Sequence, residues 1–275
     1  MKRPEPPSSR GVLDAARPPV SDPHAILITG ASGGLGASLA RVYAARGRQL
    51  LLHGRDPDRL ASICAQCEAH GAEVLPLTFD VRETDATVQI LRTVSARHPI
   101  DLAIVNAGVT HRIGDGEELE SPEIAREVLA VNLEGALATI AGVLPAMRAR
   151  GSGQIALVSS LAALRGLPQA PTYSASKAAL KAYGEALRPW LAPQGIAVNV
   201  VLPGFIDTRM TSEDWHGPTP GLISAERAAL LIQRALARNR AQIAFPRRLA
   251  LGLRLLALLP QGLAARVMQA LGFEG

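Results

Sequence analysis

The chain has 275 residues, enough for one large domain or two small ones. Hydrophobic residues make up 48% of it and aromatics only 3%, while 29 basic and 24 acidic side chains leave a net charge of +5. A charge so mild and dispersed, without interleaved aromatic and basic residues, argues against nucleic acid as a partner; two cysteines exclude a disulfide scaffold and fit a reducing, cytoplasmic compartment.

Residues 1–23 are rich in Pro, Arg and Ser and hold no apolar run long enough for a signal peptide, so a disordered extension is expected there. From residue 24 short apolar runs alternate with longer helical patterns. Strands are predicted at 25–29, 49–53, 73–78, 102–106, 154–159, 197–202 and 241–244, and helices at 35–46, 57–70, 84–97, 122–149, 174–192 and 224–239. Ser121-Pro122-Glu123 is a helix start: a capping hydroxyl, Pro at the first position, then an acid in the first turn. The strands lack polar alternation, which implies burial on both faces and hence a parallel sheet covered by helices. The fold expected is α/β, a doubly wound Rossmann-like parallel sheet of about seven strands with helices on both faces. No linker interrupts 24–245, read as one catalytic domain, with 246–275 as a leucine- and arginine-rich helical tail. Cys64 and Cys67 form a lone C-x-x-C within a predicted helix; without a second pair they read as two small helix residues, and no metal site is expected.

Thr29-Gly-Ala-Ser-Gly-Gly-Leu-Gly36 follows the first strand and opens the first helix. Gly30, Gly34 and Gly36 suit a tight turn with close backbone approach, so that free amides at the helix start meet a pyrophosphate. The second strand ends His53-Gly54-Arg55. Gly54 stands where an NAD site places an acid for the ribose 2′-hydroxyl, and the Arg55 guanidinium suits a 2′-phosphate, with the Ser32 hydroxyl beside it. NADP(H) is therefore favoured over NAD(H). Further on, Tyr173 and Lys177 are four residues apart, thus on one face of a helix. An ammonium near a phenol lowers its pKa and readies it for proton transfer near neutral pH. Only Lys2, Lys177 and Lys181 are lysines in this arginine-rich chain, which hints at a use for the compact ammonium.

Together, Thr29-Gly30, Gly34-Leu35-Gly36, Asp80-Val81, Asn106-Ala107-Gly108, Asn132, Ser160, Tyr173-x-x-x-Lys177 and Pro203-Gly204 resemble the short-chain dehydrogenase/reductase family, in its single-domain branch, over about 24–245. The resemblance implies a hydride transfer between NADP(H) and a carbonyl or secondary alcohol, with Asn132, Ser160, Tyr173 and Lys177 catalytic. Tyr173 would give the proton, Ser160 would bond the same oxygen, and Lys177 would bind the nicotinamide ribose. Asn132 would hold a water relaying protons to Lys177. Ser160 rather than Ser159 is selected by its thirteen-residue spacing from Tyr173. Gly30, Ser32, Gly33, Gly34, Leu35, Gly36, Arg55, Asp80, Val81, Asn106, Ala107 and Gly108 would line the cofactor, with Asp80 at the adenine. Pro203, Gly204, Ile206 and Thr208 would lie on the nicotinamide side. The family commonly pairs as a homodimer or homotetramer through the helices holding Asn132 and Tyr173.

After Thr208 a short, turn-rich segment containing Met210 and Trp215 is placed to cap the substrate, or to pack on its own underside. Between Glu226 and Glu274 there is no acid, but eight arginines flank and enter the run Leu249–Leu259. That run is too short to span a bilayer, and its leucines spread round a helix without a clean stripe. It needs cover from the core, from a partner subunit, or from the inner face of a membrane; the last would favour an apolar substrate. Two other functions compete with the enzyme: an idle nucleotide-binding scaffold and a membrane-associated interaction protein.

Overall fold

The computed structural model describes residues 22–113, 119–214 and 218–270; the expected extension over 1–23 lies almost wholly outside the described residues, as does Trp215. The first half comprises β1 (Ala25–Ile28), α1 (Gly34–Tyr43), β2 (Gln49–His53), α2 (Pro57–Ala69), β3 (Glu73–Leu77), α3 (Thr84–Arg97), β4 (Leu102–Val105) and α4 (Pro122–Leu129). It continues through α5 (Gly135–Arg150), β5 (Gly153–Val158), α6 (Pro171–Leu191), β6 (Ile196–Pro203), β7 (Ile206–Asp207) and α7 (Arg209–Asp214). It closes with β8 (Ile223–Ser224), α8 (Ala225–Leu236), β9 (Gln242–Phe245), α9 (Arg247–Ala257) and α10 (Gln261–Ala270).

Among the described residues, seven strands form one parallel sheet in the order β3-β2-β1-β4-β5-β6-β9, and the chain is a single Rossmann-like α/β domain. Successive strand residues point to opposite faces, and both faces are apolar. Ile26, Ile28, Leu50, Leu52 and Ile104 meet Leu39 of α1, Leu60 of α2 and Ile232 of α8 in one core. The alternate residues Leu27, Leu51, Val105, Ile155 and Leu157 meet Leu91 of α3, Ile140 and Val143 of α5 and Leu180 of α6 in the other. Burying each such side chain contributes about 1.5–3 kcal/mol, which explains why a run with no polar alternation settles in the middle of the sheet. The order reverses between β1 and β4, so the crevice of the fold opens beyond the carboxyl ends of those strands.

The predicted helix start is present: the Ser121 hydroxyl accepts from the Ile124 N–H at 3.3 Å, ahead of Pro122. The helix expected over 122–149 is interrupted, because Ala130–Glu134 form a π-helical segment between α4 and α5. The whole stretch is long and apolar enough to cross a membrane, but Ala136, Ile140, Val143 and Met147 are spent on the sheet's second core. Cys64 and Cys67 lie on the buried side of α2, and burial pushes the Cys67 thiol up to about 11. The tail forms two helices, α9 and α10. Leu249, Ala250 and Leu253 pack on Leu161 and Leu202, so α9 does have an inner face. The small β7–β8 pair was not expected, because two-residue strands carry no periodicity.

Candidate active site

The turn after β1 is built on glycine. Gly30 has φ 68° and Gly34 φ 53°, in the left-handed region that favours glycine. A Cβ on Gly30 would stand 2.9 Å from Cα of Ala107, and one on Gly36 would stand 2.0 Å from the Gly30 carbonyl oxygen. Thr29 fastens this turn to the end of β4: its hydroxyl oxygen accepts from the N–H groups of Asn106 at 2.9 Å and Ala107 at 3.1 Å. Asn106 answers by donating from Nδ2 to the carbonyls of Thr29 at 2.9 Å and Gly30 at 3.3 Å. Helix α1 follows Gly33 without a capping side chain and without an acid in its first turn. By contrast α2 is capped by the Asp56 carboxylate, which accepts from the Arg59 N–H at 3.0 Å. A helix start of the α1 kind presents free N–H groups and a positive dipole end to an anion.

His53 ties the turn to β2. The Gly30 N–H donates to its Nδ1 at 3.4 Å, so the ring proton sits on Nε2, 2.9 Å from the Phe79 carbonyl. Burial lowers the His53 pKa more than that carbonyl and Asp80 raise it, and the ring stays neutral. Gly54 lets β2 approach Ser32, since a Cβ there would be 2.9 Å from the Ser32 Cβ. Arg55 is exposed next to it. Arg59, in the first turn of α2, puts its guanidinium 2.5 Å from where a Gly33 Cβ would be. Arg59 carried no motif signal; the only cue was its place three residues after the capping Asp56.

Asp80 is held by Arg82, whose Nε and Nη2 donate to one carboxylate oxygen at 2.9 and 2.6 Å; this keeps the carboxyl below its ordinary range. Val81 is buried, and a Cβ on Gly135 at the start of α5 would meet it at 2.8 Å. Leu35 belongs to the core under α1. Beyond β6, which ends at Pro203, the Gly204 N–H donates to the Phe245 carbonyl at 2.8 Å, and Ile206 is buried. Thr208 returns to the glycine turn, its methyl 3.4 Å from the Cβ position of Gly34.

Ser160, Tyr173 and Lys177 converge beyond the end of β5. Tyr173 lies in the first turn of α6, and its phenol is hydrogen-bonded to the Ser160 side chain. Lys177 Nζ is 5.7 Å from the centre of the Tyr173 ring and donates to the Val158 carbonyl at 3.1 Å. Ser159 points elsewhere: its hydroxyl donates to the Lys177 carbonyl at 2.6 Å and anchors α6 to β5. Burial raises the Tyr173 pKa, with Ser160 pulling it back by less, and burial lowers Lys177 to about 8. The lowered phenol expected from the Tyr–Lys spacing is not found here, because burial raises Tyr173 by more than the Ser160 hydrogen bond lowers it.

Asn132 sits in the π-helical segment, fully buried. Its Oδ1 accepts from the Val109 N–H at 2.8 Å, and its Nδ2 donates to the Val109 carbonyl at 2.9 Å and to Ser176 Oγ at 3.1 Å. It therefore locks the loop after β4 against α6. A Cβ on Gly108 would be 3.2 Å from both Asn132 Oδ1 and Lys177 Nζ. Glu120 is a second residue that the sequence left unmarked. Its buried carboxylate accepts from the Thr172 N–H at 3.1 Å and from the Thr172 hydroxyl, which caps α6 beside Tyr173.

The short chain dehydrogenase family model matches residues 24–218. An uncharacterized oxidoreductase of Myxococcus xanthus is 37% identical over 239 residues, 86% of this chain and 93% of that protein. A short chain dehydrogenase from Burkholderia cenocepacia, solved in complex with NADP, is 29% identical with a TM-score of 0.76, covering 90% of this chain and 98% of that one. A short-chain dehydrogenase from Sphingobium yanoikuyae, solved with NADPH, is 27% identical with a TM-score of 0.75, covering 89% and 95%. The chain belongs to the short-chain dehydrogenase family and is an oxidoreductase.

Proposed function

We propose that this short-chain dehydrogenase uses NADP(H) to interconvert a carbonyl compound and a secondary alcohol, with Tyr173 as the proton donor and acceptor. The observation that carries the reading is the convergence of Ser160, Tyr173 and Lys177 in one buried cluster at the carboxyl end of β5. The glycine turn fits a dinucleotide: only a residue without Cβ satisfies Gly30 and Gly36, and the uncapped start of α1 suits the pyrophosphate. Ser32, Arg55 and Arg59 supply a hydroxyl and two guanidinium groups around the end of β2, the donor set of a 2′-phosphate. The neighbours bound to NADP and NADPH support the same preference over NAD(H). Asp80, engaged by Arg82, and Asn106-Ala107-Gly108 border the adenine and ribose side, and Pro203, Gly204, Ile206 and Thr208 the nicotinamide side.

When bound, the nicotinamide supplies or takes up the hydride. Tyr173 holds the proton that passes to the substrate oxygen, and Ser160 donates a hydrogen bond to that oxygen as charge develops. Lys177, held at about 8 by burial, exchanges protons near neutral pH and so can recharge Tyr173. The space left by Gly108, flanked by Asn132 Oδ1 and Lys177 Nζ, supports Asn132 as the holder of a relaying water.

Parallel titrations with NADPH and NADH, followed by fluorescence and melting temperature, test the cofactor half. Tighter binding of NADPH by at least tenfold, about 1.4 kcal/mol, is expected, and preference for NADH overturns it. Tyr173→Phe should keep cofactor binding and lose about 10²–10⁴ in turnover; undiminished turnover would remove Tyr173 from the chemistry.

A further inference from the structure

The two tail helices have one face in the protein and one outside it. Leu249, Ala250 and Leu253 pack on the domain, and Leu256 packs on Ala264 across the turn between α9 and α10. On the far side Leu251, Leu255 and Leu258 are 58%, 57% and 81% exposed, and Leu263 of α10 is 49% exposed. Positions 251, 255 and 258 recur at the i, i+4, i+7 spacing of a single helical face. Each such side chain in water forgoes the gain of burial, and the three on one face of α9 make an apolar stripe of the kind that monomeric surfaces keep small.

The charges around this patch have one sign. Arg247, Arg248, Arg254 and Arg266 all belong to α9 and α10 and are all exposed, and no acid occurs between Glu226 and Glu274. Long arginine side chains can lie along apolar surface and carry their heads outward to an anionic layer. We propose that this face of the tail seats on an anionic lipid surface, with Leu251, Leu255 and Leu258 entering the acyl boundary and the arginines meeting headgroup phosphates. An eleven-residue helix is too short to cross a bilayer, so α9 lies along the surface. A second copy of this chain fits less well. A two-fold contact sets a patch against itself, and four arginines would then face four arginines with no acid between them.

The tail is also next to the site. A Cβ on Gly204 would be 3.4 Å from Leu249 Cδ2, and Arg165, five residues after Ser160, donates to Gln261 of α10 at 3.3 Å. Gln261 and Ala265 of α10 form one wall of an open cleft whose other wall is the 162–168 turn and the start of α6.

Co-sedimentation of the full-length protein with vesicles tests the docking without any turnover assay, so its failure and the failure of the oxidoreductase reading are distinguishable. One set of vesicles is phosphatidylcholine alone and the other contains about one third phosphatidylglycerol. The protein should sediment with the anionic set and be released by high salt, because headgroup attraction is screened. The triple variant Leu251→Ser, Leu255→Ser, Leu258→Ser should bind at least tenfold more weakly while keeping its melting temperature and its shift with NADPH. Arg247→Glu with Arg248→Glu should abolish the preference for anionic over neutral vesicles. Three results overturn the proposal: wild-type protein left in the supernatant with anionic vesicles, equal sedimentation of wild type and triple variant, or a change in oligomer mass between those two in the absence of lipid. The last would assign the face to a second copy.

Discussion

Replacing Lys177 by Met should stabilise the cofactor-free protein near neutral pH and leave it less responsive to pH. Burial lowers the Lys177 pKa from 10.5 to about 8. Between those values the unfolded chain holds a proton that the folded chain has released, so stability rises with pH across that window and is reduced below it. At about 1.36 kcal/mol per pH unit the penalty on the folded state is about 3 kcal/mol near pH 7 and about 1 kcal/mol near pH 9.5. The wild type should therefore gain about 2 kcal/mol between those pH values that Lys177→Met does not gain. The variant also loses the bond from Nζ to the Val158 carbonyl, at 3.1 Å, which costs about 1 kcal/mol at every pH. Urea unfolding of both proteins at the two pH values measures the difference of differences. Parallel pH dependence of the two would refute the reasoning, whatever the offset between them.

Gly36→Ala should cost about 1–3 kcal/mol of stability and abolish the melting shift with NADPH, because the new Cβ would meet the Gly30 carbonyl oxygen at 2.0 Å; differential scanning with and without NADPH reads both. Arg59→Ala should weaken NADPH about tenfold and leave NADH unchanged, and Arg55→Ala should do the same, which isothermal titration of the two cofactors would show. His53→Gln should flatten the loss of stability in acid. Burial lowers the His53 pKa below its ordinary 6.5, so the unfolded wild type takes up a proton that the folded one refuses as pH falls through that value. Urea midpoints at pH 7 and pH 5 would fall together in wild type and variant if His53 plays no such part.

The sheet was legible because each central strand is a short apolar run bounded by glycine or polar residues, and burial on two faces leaves nothing else for such a run to do. The family motifs made the cluster of Ser160, Tyr173 and Lys177 legible too, since Tyr173 and Lys177 need only helical spacing to meet. Contacts that depend on two distant segments were not legible. Arg59 reaches the glycine turn only because α2 starts beside it, and Glu120 caps α6 from fifty-two residues away. Nor does spacing report burial, which decided the direction of the Tyr173 and Lys177 pKa values. The tail's leucines looked evenly spread in one run; they resolved into an inner and an outer face only once Leu249, Ala250 and Leu253 had met the domain.

The π-helical segment at Ala130–Glu134 makes the length of the α4–α5 rod as consequential as its composition. A π turn accommodates one residue more than the α ladder would hold. The rod is gripped on both sides of it, Val81 lying against Gly135 just beyond and Asn132 held by Val109 and Ser176 within. Deleting a single residue from the segment would regularise the helix with its flanks still in register, whereas a deletion in the regular α-helix on either side would, at 3.6 residues per turn, swing one gripped part by about 100° relative to the other. The first change would take Asn132 from Val109 and Ser176, and the second would turn either Asn132 or the α5 face from its partners, although every other side chain were kept. In a library of variants, substitutions along this rod should thus be graded in effect, and one-residue deletions should be far more damaging in α4 and α5 than within Ala130–Glu134.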